Sequence, residues 1–364
     1  MSTVLLHLIA TAQWREVLAA GAVHPLPGAQ FVHLSAPEQV ALPANRLFAG
    51  RRDLLLLVLD PDRIGAEVRW EPGVPGDPET MRFPHAYGPV PTTAVLAVVP
   101  YRPDAAGRFA EPDPLPVDVA RRCLFLEESV TRRTAATEAP VTGGVAVRTP
   151  AVAGSRQHNQ LLVAGPTDAV TLAADADAEL GGSPHRTATL LGETHRPTAE
   201  ALAAAGWEAE EIVVMAARPG GSRVAGVEQV DAEALRPVWA ATWRRDVPGV
   251  SDAAVTDLVD RNLLQEEVVD ARYLAVRAEG AVVASGILLL DGATAWLTDL
   301  ATDPAHRGRG HGDALVTHAL AIAGEAGCDV VGLGAAAGDW PRAWYARRGF
   351  AEVERLWCVT AQEV

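Results

Sequence analysis

The chain has 364 residues, more than one ordinary hydrophobic core accommodates, so two or three domains are expected. Apolar residues make up 49% of it and aromatics 5%, the composition of a soluble globular protein built on Ala, Val and Leu. Its 31 basic residues, all Arg, face 46 acidic ones; the formal charge of −15 argues against a nucleic-acid surface, and no Lys is available as a base or Schiff-base nucleophile.

The opening Met1–Ala12 has no basic leader, and its apolar stretch is too short for a signal peptide. Residues 1–102 alternate short apolar strands at Val4–Ile9, Phe31–Leu34, Leu54–Leu59 and Ala94–Val99 with Pro- and Gly-rich turns such as Glu71–Thr80. A helix is predicted at Ala12–Ala20 with Thr11 as its cap. The mixture predicts an α+β domain. Residues 103–116, rich in Pro, Asp and Ala without periodicity, predict a linker.

In residues 117–223 a helix is predicted through Leu124–Ala135, with strands at Val145–Arg148 and Gln160–Val163. The stretch Gly165–Gly182 predicts a strand, a loop and a short helix. A later helix, Glu200–Ala205, stops at Gly206, which tolerates positive φ, and the strand Glu211–Ala217 follows. Pro219–Arg223 marks a second boundary. Residues 224–364 predict helices at Ala232–Arg244 and Ala253–Glu267, then strands Tyr273–Ala278, Ala281–Leu290 and Thr294–Ala301 joined by Glu279-Gly280 and Asp291-Gly292 turns. A Gly-rich loop, a helix at Asp313–Ala326, a strand Val330–Leu333, a helix Pro341–Arg348 and a strand Val353–Val359 complete the block. Cys123, Cys328 and Cys358 lie far apart, and no metal-binding Cys/His spacing occurs; a reduced cytoplasm and no metal are expected.

The loop Arg307-Gly308-Arg309-Gly310-His311-Gly312 sits between a predicted strand and a predicted helix. Glycines let backbone N–H groups approach an anion closely, and the helix start adds partial positive charge, so the loop predicts a phosphate site. The stretch Leu300–Leu315 resembles the acetyl-CoA-binding motif of the Gcn5-related N-acetyltransferase superfamily, and Trp344–Phe350 resembles its closing Tyr-to-Gly-Phe motif. The order of elements in residues 224–364 is similar as well.

This resemblance implies that the backbone of Arg309–Asp313, with Arg307 and Gly308 beside it, holds the pyrophosphate of the co-substrate acetyl-CoA. Gly308, Gly310, His311 and Gly312 supply the cradle. It implies that Leu300, Ala301 and Thr302 pair with the pantetheine arm, and that the Leu300 N–H polarises the acetyl carbonyl. Tyr345 takes the position that protonates the departing thiolate, and Asp299 is the candidate base. The superfamily often has Asn where Gly338 stands here, with Asp339 next to it, so a pantetheine contact from that loop is not expected.

The ends of the 117–223 block resemble another acetyltransferase half without a Gly-rich loop, a degenerate partner expected to wall the acceptor cleft. Residues 1–102 carry Phe31-Val32-His33-Leu34-Ser35, Asn45-Arg46 and Phe83-Pro84-His85, which resemble the bacterial domain-of-unknown-function 952 family. That resemblance implies an ADP-ribosyltransferase-like α+β fold with His7, His33, Ser35, Arg46 and His85 lining an NAD or phosphate pocket. The expected fold is therefore mixed α+β and α/β: this domain, then tandem acyl-CoA N-acyltransferase folds, a mixed sheet flanked by helices. The expected activity is acetyl transfer from acetyl-CoA to an amine, on a small molecule or a protein, with no nucleic acid and no membrane as partner. The alternative is a non-catalytic acetyl-CoA sensor regulating an NAD- or phosphate-binding first domain.

Overall fold

The computed structural model describes residues 4–73, 81–112 and 114–361. Most of the turn expected at Glu71–Thr80 lies outside them. The N-terminal unit contains β1 (Leu5–Ala10), α1 (Thr11–Ala20), β2 (Ala22–Val23), β3 (Val32–His33), α2 (Ala41–Leu47), β4 (Leu54–Leu59), β5 (Val68–Pro72), β6 (Arg82–Ala86), β7 (Val90–Pro91) and β8 (Val95–Tyr101). β4 is buried at every position because it is the central strand of β1-β4-β8, with apolar residues on both faces. The helix begins one residue earlier than the sequence suggested. Thr11 is its first residue and not its cap: the hydroxyl donates to the Asp53 carbonyl, while Gln13 Oε1 accepts from the Ala10 N–H.

The remaining elements are α3 (Val119–Thr134), β9 (Thr137–Val141), β10 (Gly144–Arg148), β11 (Gln160–Val163), α4 (Ala169–Leu180), β12 (Thr187–Leu191), α5 (Arg196–Ala204), β13 (Trp207–Ala217), β14 (Val227–Val230), α6 (Ala232–Asp246) and α7 (Asp252–Leu264). They continue with β15 (Asp270–Ala278), β16 (Ala281–Asp291), β17 (Thr294–Thr302), α8 (His311–Glu325), β18 (Val330–Ala336), α9 (Trp340–Ala346) and β19 (Ala351–Ala361). The Gly165–Gly182 stretch is a three-turn helix and not strand plus loop, because Asp168 caps the Thr171 N–H and Leu172, Ala176 and Leu180 form one buried stripe.

One eleven-stranded sheet runs through everything after residue 137, in the order β14-β15-β16-β17-β18-β13-β19-β12-β11-β10-β9. Its only parallel pairs are β11–β12, linked by α4, and β17–β18, linked by α8. The strands that follow those pairs are exchanged. β13 lies between β18 and β19, and β19 lies between β13 and β12. Core residues beneath α8 fill one face of the β14–β18 region, and α3, α6 and α7 cover the other. α4 and α5 close the core of the β9–β12 end.

Candidate functional site

β17 and β18 are hydrogen-bonded neighbours only over Thr294–Trp296 and Val330–Gly332. Beyond that, β18 pairs with β13 and β17 stays with β16, so the two strands splay. The splay coincides with a bulge. Ser285 faces Ala301 and Ile287 faces Thr298, leaving Asp299 and Leu300 opposite the single residue Gly286. Asp299 takes φ 49°, and a Cβ on Gly286 would come 3.1 Å from Leu300 Cδ1, so a larger residue across from the bulge would press on the Leu300 side chain.

The loop after β17 is built by short-range bonds. Asp303 Oδ1 accepts from the Ala305 N–H at 2.8 Å, Arg307 Nε donates to the Thr302 carbonyl at 3.2 Å, and Arg309 donates to the Ala305 carbonyl at 3.2 Å. Gly310, at φ 82°, is the residue before α8, and no side chain caps the helix. The first N–H groups of α8 therefore point outward without an intrahelical acceptor. At the corresponding start of α4, the Asp168 carboxylate already occupies that position.

Splay and loop open into one cleft of about 680 Å³. Its walls are Trp239 and Trp243 of α6, Asn262 of α7, residues 299–302 of β17, the Gly-rich loop with the first turn of α8, and Trp344 and Tyr345 of α9. Asp299, Leu300, Ala301, Thr302, Arg307, Gly308, Gly310, His311, Gly312, Asp313 and Tyr345 are thus brought together. Arg309 is not among the lining residues. Gly338 and Asp339 are on another surface, where Asp339 caps α9 by accepting from the Trp340 N–H. No residue of 117–223 lines this cleft, which corrects the expectation that the second block walls it. That block is committed to the sheet and its underside instead.

Tyr345 is buried against Trp344 and Phe350, and burial pushes its phenol up to about 12. Asp299 lies 3.5 Å from Arg261, whose guanidinium sits over the Trp243 ring at 5.0 Å. Glu127 on α3 was not singled out by its sequence context. Burial pushes its carboxyl up to about 7, Arg261 pulls against that and Asp299 adds to it. Asp313 is paired with Arg348, which stacks on Trp344. Cys123, Cys328 and Cys358 are each pushed up to about 12 by burial.

In the N-terminal unit, His7 Nδ1 donates to the His33 carbonyl at 2.8 Å, and the His33 and His85 rings are 5.0 Å apart. Ser35 is buried in a bridge to Leu6, and Arg46 is in the last turn of α2, a separate element. The sequence missed Phe31, stacked on His85 at 4.0 Å, and Glu71, which accepts from Tyr87 and meets His85 Nδ1 at 3.3 Å. Burial, then the neighbouring imidazole, lowers the pKa of His33; for His7 the bond to the His33 carbonyl opposes both. Among the described residues no group of His, Cys, Asp and Glu is arranged to hold a metal ion, and no helix is long and apolar enough to cross a membrane.

Comparison with known proteins gives two family matches. Residues 8–98 match a protein family of unknown function, DUF952, and residues 235–350 match the acetyltransferase (GNAT) family. A search of curated proteins finds no match. Among solved structures, a GCN5-related N-acetyltransferase from Kribbella flavida is 17% identical, covering 68% of this chain and 96% of its own, with a TM-score of 0.49. A functionally unknown conserved protein from Staphylococcus epidermidis is 11% identical over 63% of this chain and 94% of its own, also at 0.49. A protein from Caulobacter crescentus is 29% identical over 30% of this chain and 94% of its own, at 0.27. By the family matches, the chain is similar to the GNAT acetyltransferase family over residues 235–350 and to the DUF952 family over residues 8–98.

Proposed function

We propose that the chain transfers the acetyl group of acetyl-CoA to an amine by direct attack in the cleft between β17 and β18. The observation that carries this reading is the coincidence of two features: an unpaired strand edge at residues 299–302, and an uncapped helix start at Gly310 facing the same space. The N–H groups of Arg309–Asp313 take the pyrophosphate, with Arg307 and Gly308 alongside. Leu300, Ala301 and Thr302 offer main-chain partners to the pantetheine arm. The Leu300 N–H then stands at the carbonyl where negative charge develops. Asp299 receives the amine and its proton. Tyr345, whose raised pKa keeps it protonated, returns a proton to the leaving thiolate. The raised thiol pKa values leave no cysteine activated for a covalent acyl-enzyme, which favours direct transfer.

The two parallel pairs with their crossover helices further support reading 117–223 and 224–364 as tandem halves. Only the second keeps an open helix start, so one acetyl-CoA per chain is expected. Titration calorimetry checks the count, and thiol release with a panel of amines checks transfer. Gly310→Leu should abolish acetyl-CoA binding while leaving the melting temperature within a few degrees, about 1–2 kcal/mol of backbone strain being the only structural cost. Normal binding by that variant would overturn the assignment.

A further inference from the structure

Eight buried side-chain N and O atoms lack a hydrogen-bond partner among the described residues, and four of them belong to residues that line the cleft or to the elements behind it. They are Trp239 Nε1, Asn262 Nδ2, Arg261 Nε and Ser285 Oγ. Trp239 and Asn262 line the cleft directly. Arg261 is one residue along α7, against cleft-lining Trp243 and Asp299. Ser285 shares its face of β16 with Ile287 and Leu289, the face beneath α6 and α7.

Orphaned donors of this kind are costly and rarely tolerated without a purpose. Each sits on a side chain at least nine-tenths buried or held by a cleft residue: Trp239 is 4% exposed, Asn262 5% and Ser285 0%. The wall is also held rigid. Tyr273 donates its hydroxyl to the Asn262 carbonyl at 2.9 Å, and its ring packs edge-on to Trp239 at 5.7 Å.

The chemistry of the set identifies what it accepts. An indole N–H, an amide NH₂ and a guanidinium N–H can only donate, and the Ser hydroxyl can donate. One donor belongs to a permanent cation whose hydrogen bond within the wall is long, 3.5 Å to Asp299. Such a wall matches a group that only accepts, carries negative charge and has two oxygens. Beside Arg261, the cleft-lining Asp299 carboxylate suits an ammonium or amine.

We propose that the acceptor is an amine carrying a carboxylate beside its nitrogen, an α-amino acid or close analogue. Its carboxylate is bound by Trp239 and Asn262, with the Arg261 charge behind them, and its amine is turned toward Asp299. This deepens the acetyl-transfer reading and rests on it for the amine, but the carboxylate subsite is testable by binding alone.

The experiment compares matched pairs on the full chain: alanine with ethylamine, leucine with isoamylamine, phenylalanine with phenethylamine. Both kcat/KM with acetyl-CoA and calorimetric binding of each compound are measured. The carboxylate-bearing member of the preferred pair should be favoured by about 100-fold or more, since a site built to hydrogen-bond a group rejects the analogue lacking it. Trp239→Phe, which keeps the ring packing, should cut that ratio by about 10-fold, the loss expected for one hydrogen bond to a charged group. Asn262→Asp, which keeps the shape and puts a negative charge where the amide donor stood, should bring the ratio to one or below. Equal use of both members by the wild type would overturn the proposal, as would a ratio unchanged in both variants. Amino-acid binding that the variants weaken, with no thiol released from any pair, would sustain the subsite and defeat acetyl transfer.

Discussion

At the scale of single residues, the Gly-rich loop and Tyr345, which the structure brings to one cleft, were readable because their signal is local. Glycine spacing at a strand-to-helix junction announces itself in a short stretch of sequence. Other positions in or near the cleft were not. Trp239 and Asn262 fall at helical spacing that reads as ordinary core, and Glu127 reads as surface charge on a helix. The positive φ of Asp299 arises from a bulge that exists only once β16 and β17 are in register. Tyr345→Phe should lower kcat about 100-fold while leaving the KM for acetyl-CoA within about 3-fold, since the hydroxyl is proposed to act on the leaving group. Steady-state rates with chemistry limiting check it, and an unchanged kcat would return Tyr345 to a packing role. Glu127 gives a pH signature. Burial raises its folded pKa to about 7, above the 4.5 of an exposed glutamate, so the neutral form is favoured below that pH. Its stabilising contribution is complete below about pH 4.5 and is lost as pH rises through about 7. Glu127→Gln, which stays neutral and keeps an acceptor for the Gln157 amide, should be the more stable protein at pH 8 by about 2 kcal/mol and match the wild type near pH 4. Urea unfolding at the two pH values measures this, and equal stability at pH 8 would place Glu127 in open water.

At the scale of elements, helices and strands after residue 230 follow the sequence within a few residues, because amphipathic periods and Asp-Gly or Glu-Gly turns are explicit there. The helix at 169–180 was misread because its Ala and Asp content weakens the apolar stripe. β9, β12 and β14 were overlooked as short segments without alternation. Beyond the two hairpins that join β15, β16 and β17, strand order lay out of reach, because periodicity says that a strand exists and not which strand it joins. The exchange of β13 and β19 gives the clearest element-level prediction. A fragment of residues 224–364 lacks β13, so β18 loses one neighbour and β19 loses both. It also uncovers the apolar face beneath α3. Bare strand edges beside such a face promote association, and the fragment should be insoluble or inactive. Expression with a thiol-release assay decides this, and a soluble, fully active fragment would contradict it.

At the scale of the whole molecule, the N-terminal unit is fastened to the sheet through the turn between β16 and β17. Asp291 accepts from Trp14 Nε1 at 2.8 Å and pairs with Arg133, whose side chain is 0% exposed. The Ala293 N–H donates to the Val95 carbonyl at 2.7 Å, and Thr294 Oγ1 donates to that of Leu96 at the same distance. A second junction joins Arg63 and Arg122 to Asp329; burial works against that carboxylate, and the two guanidinium groups hold it below its usual range. Sequence showed Asp291-Gly292 only as a hairpin turn, and the buried charges at Arg122 and Arg133 resemble ordinary solvated positions of a helix. Asp291→Ala leaves a buried guanidinium and an indole N–H unmatched, and should cost about 3–5 kcal/mol. Denaturant unfolding gives the magnitude, and faster cleavage within residues 103–116 should accompany it; a loss below about 1 kcal/mol would mean that the junction is hydrated.

The strand exchange also sets a schedule for synthesis. A growing chain emerges from its N-terminus, so β13 leaves the ribosome well before β18 and β19, the two strands that enclose it. Until then it must wait with both sides unclaimed, and β12 waits with the side that β19 later takes. Neither half can finish by itself as it emerges, and premature termination before Ala351 spoils the earlier half as surely as the later one. The architecture therefore ties completion to the last strand: β9–β12 and β14–β18 can pair among themselves, but β12 and β13 keep an open edge each until β19 is made, and truncated products are left with open strands that proteolysis can find.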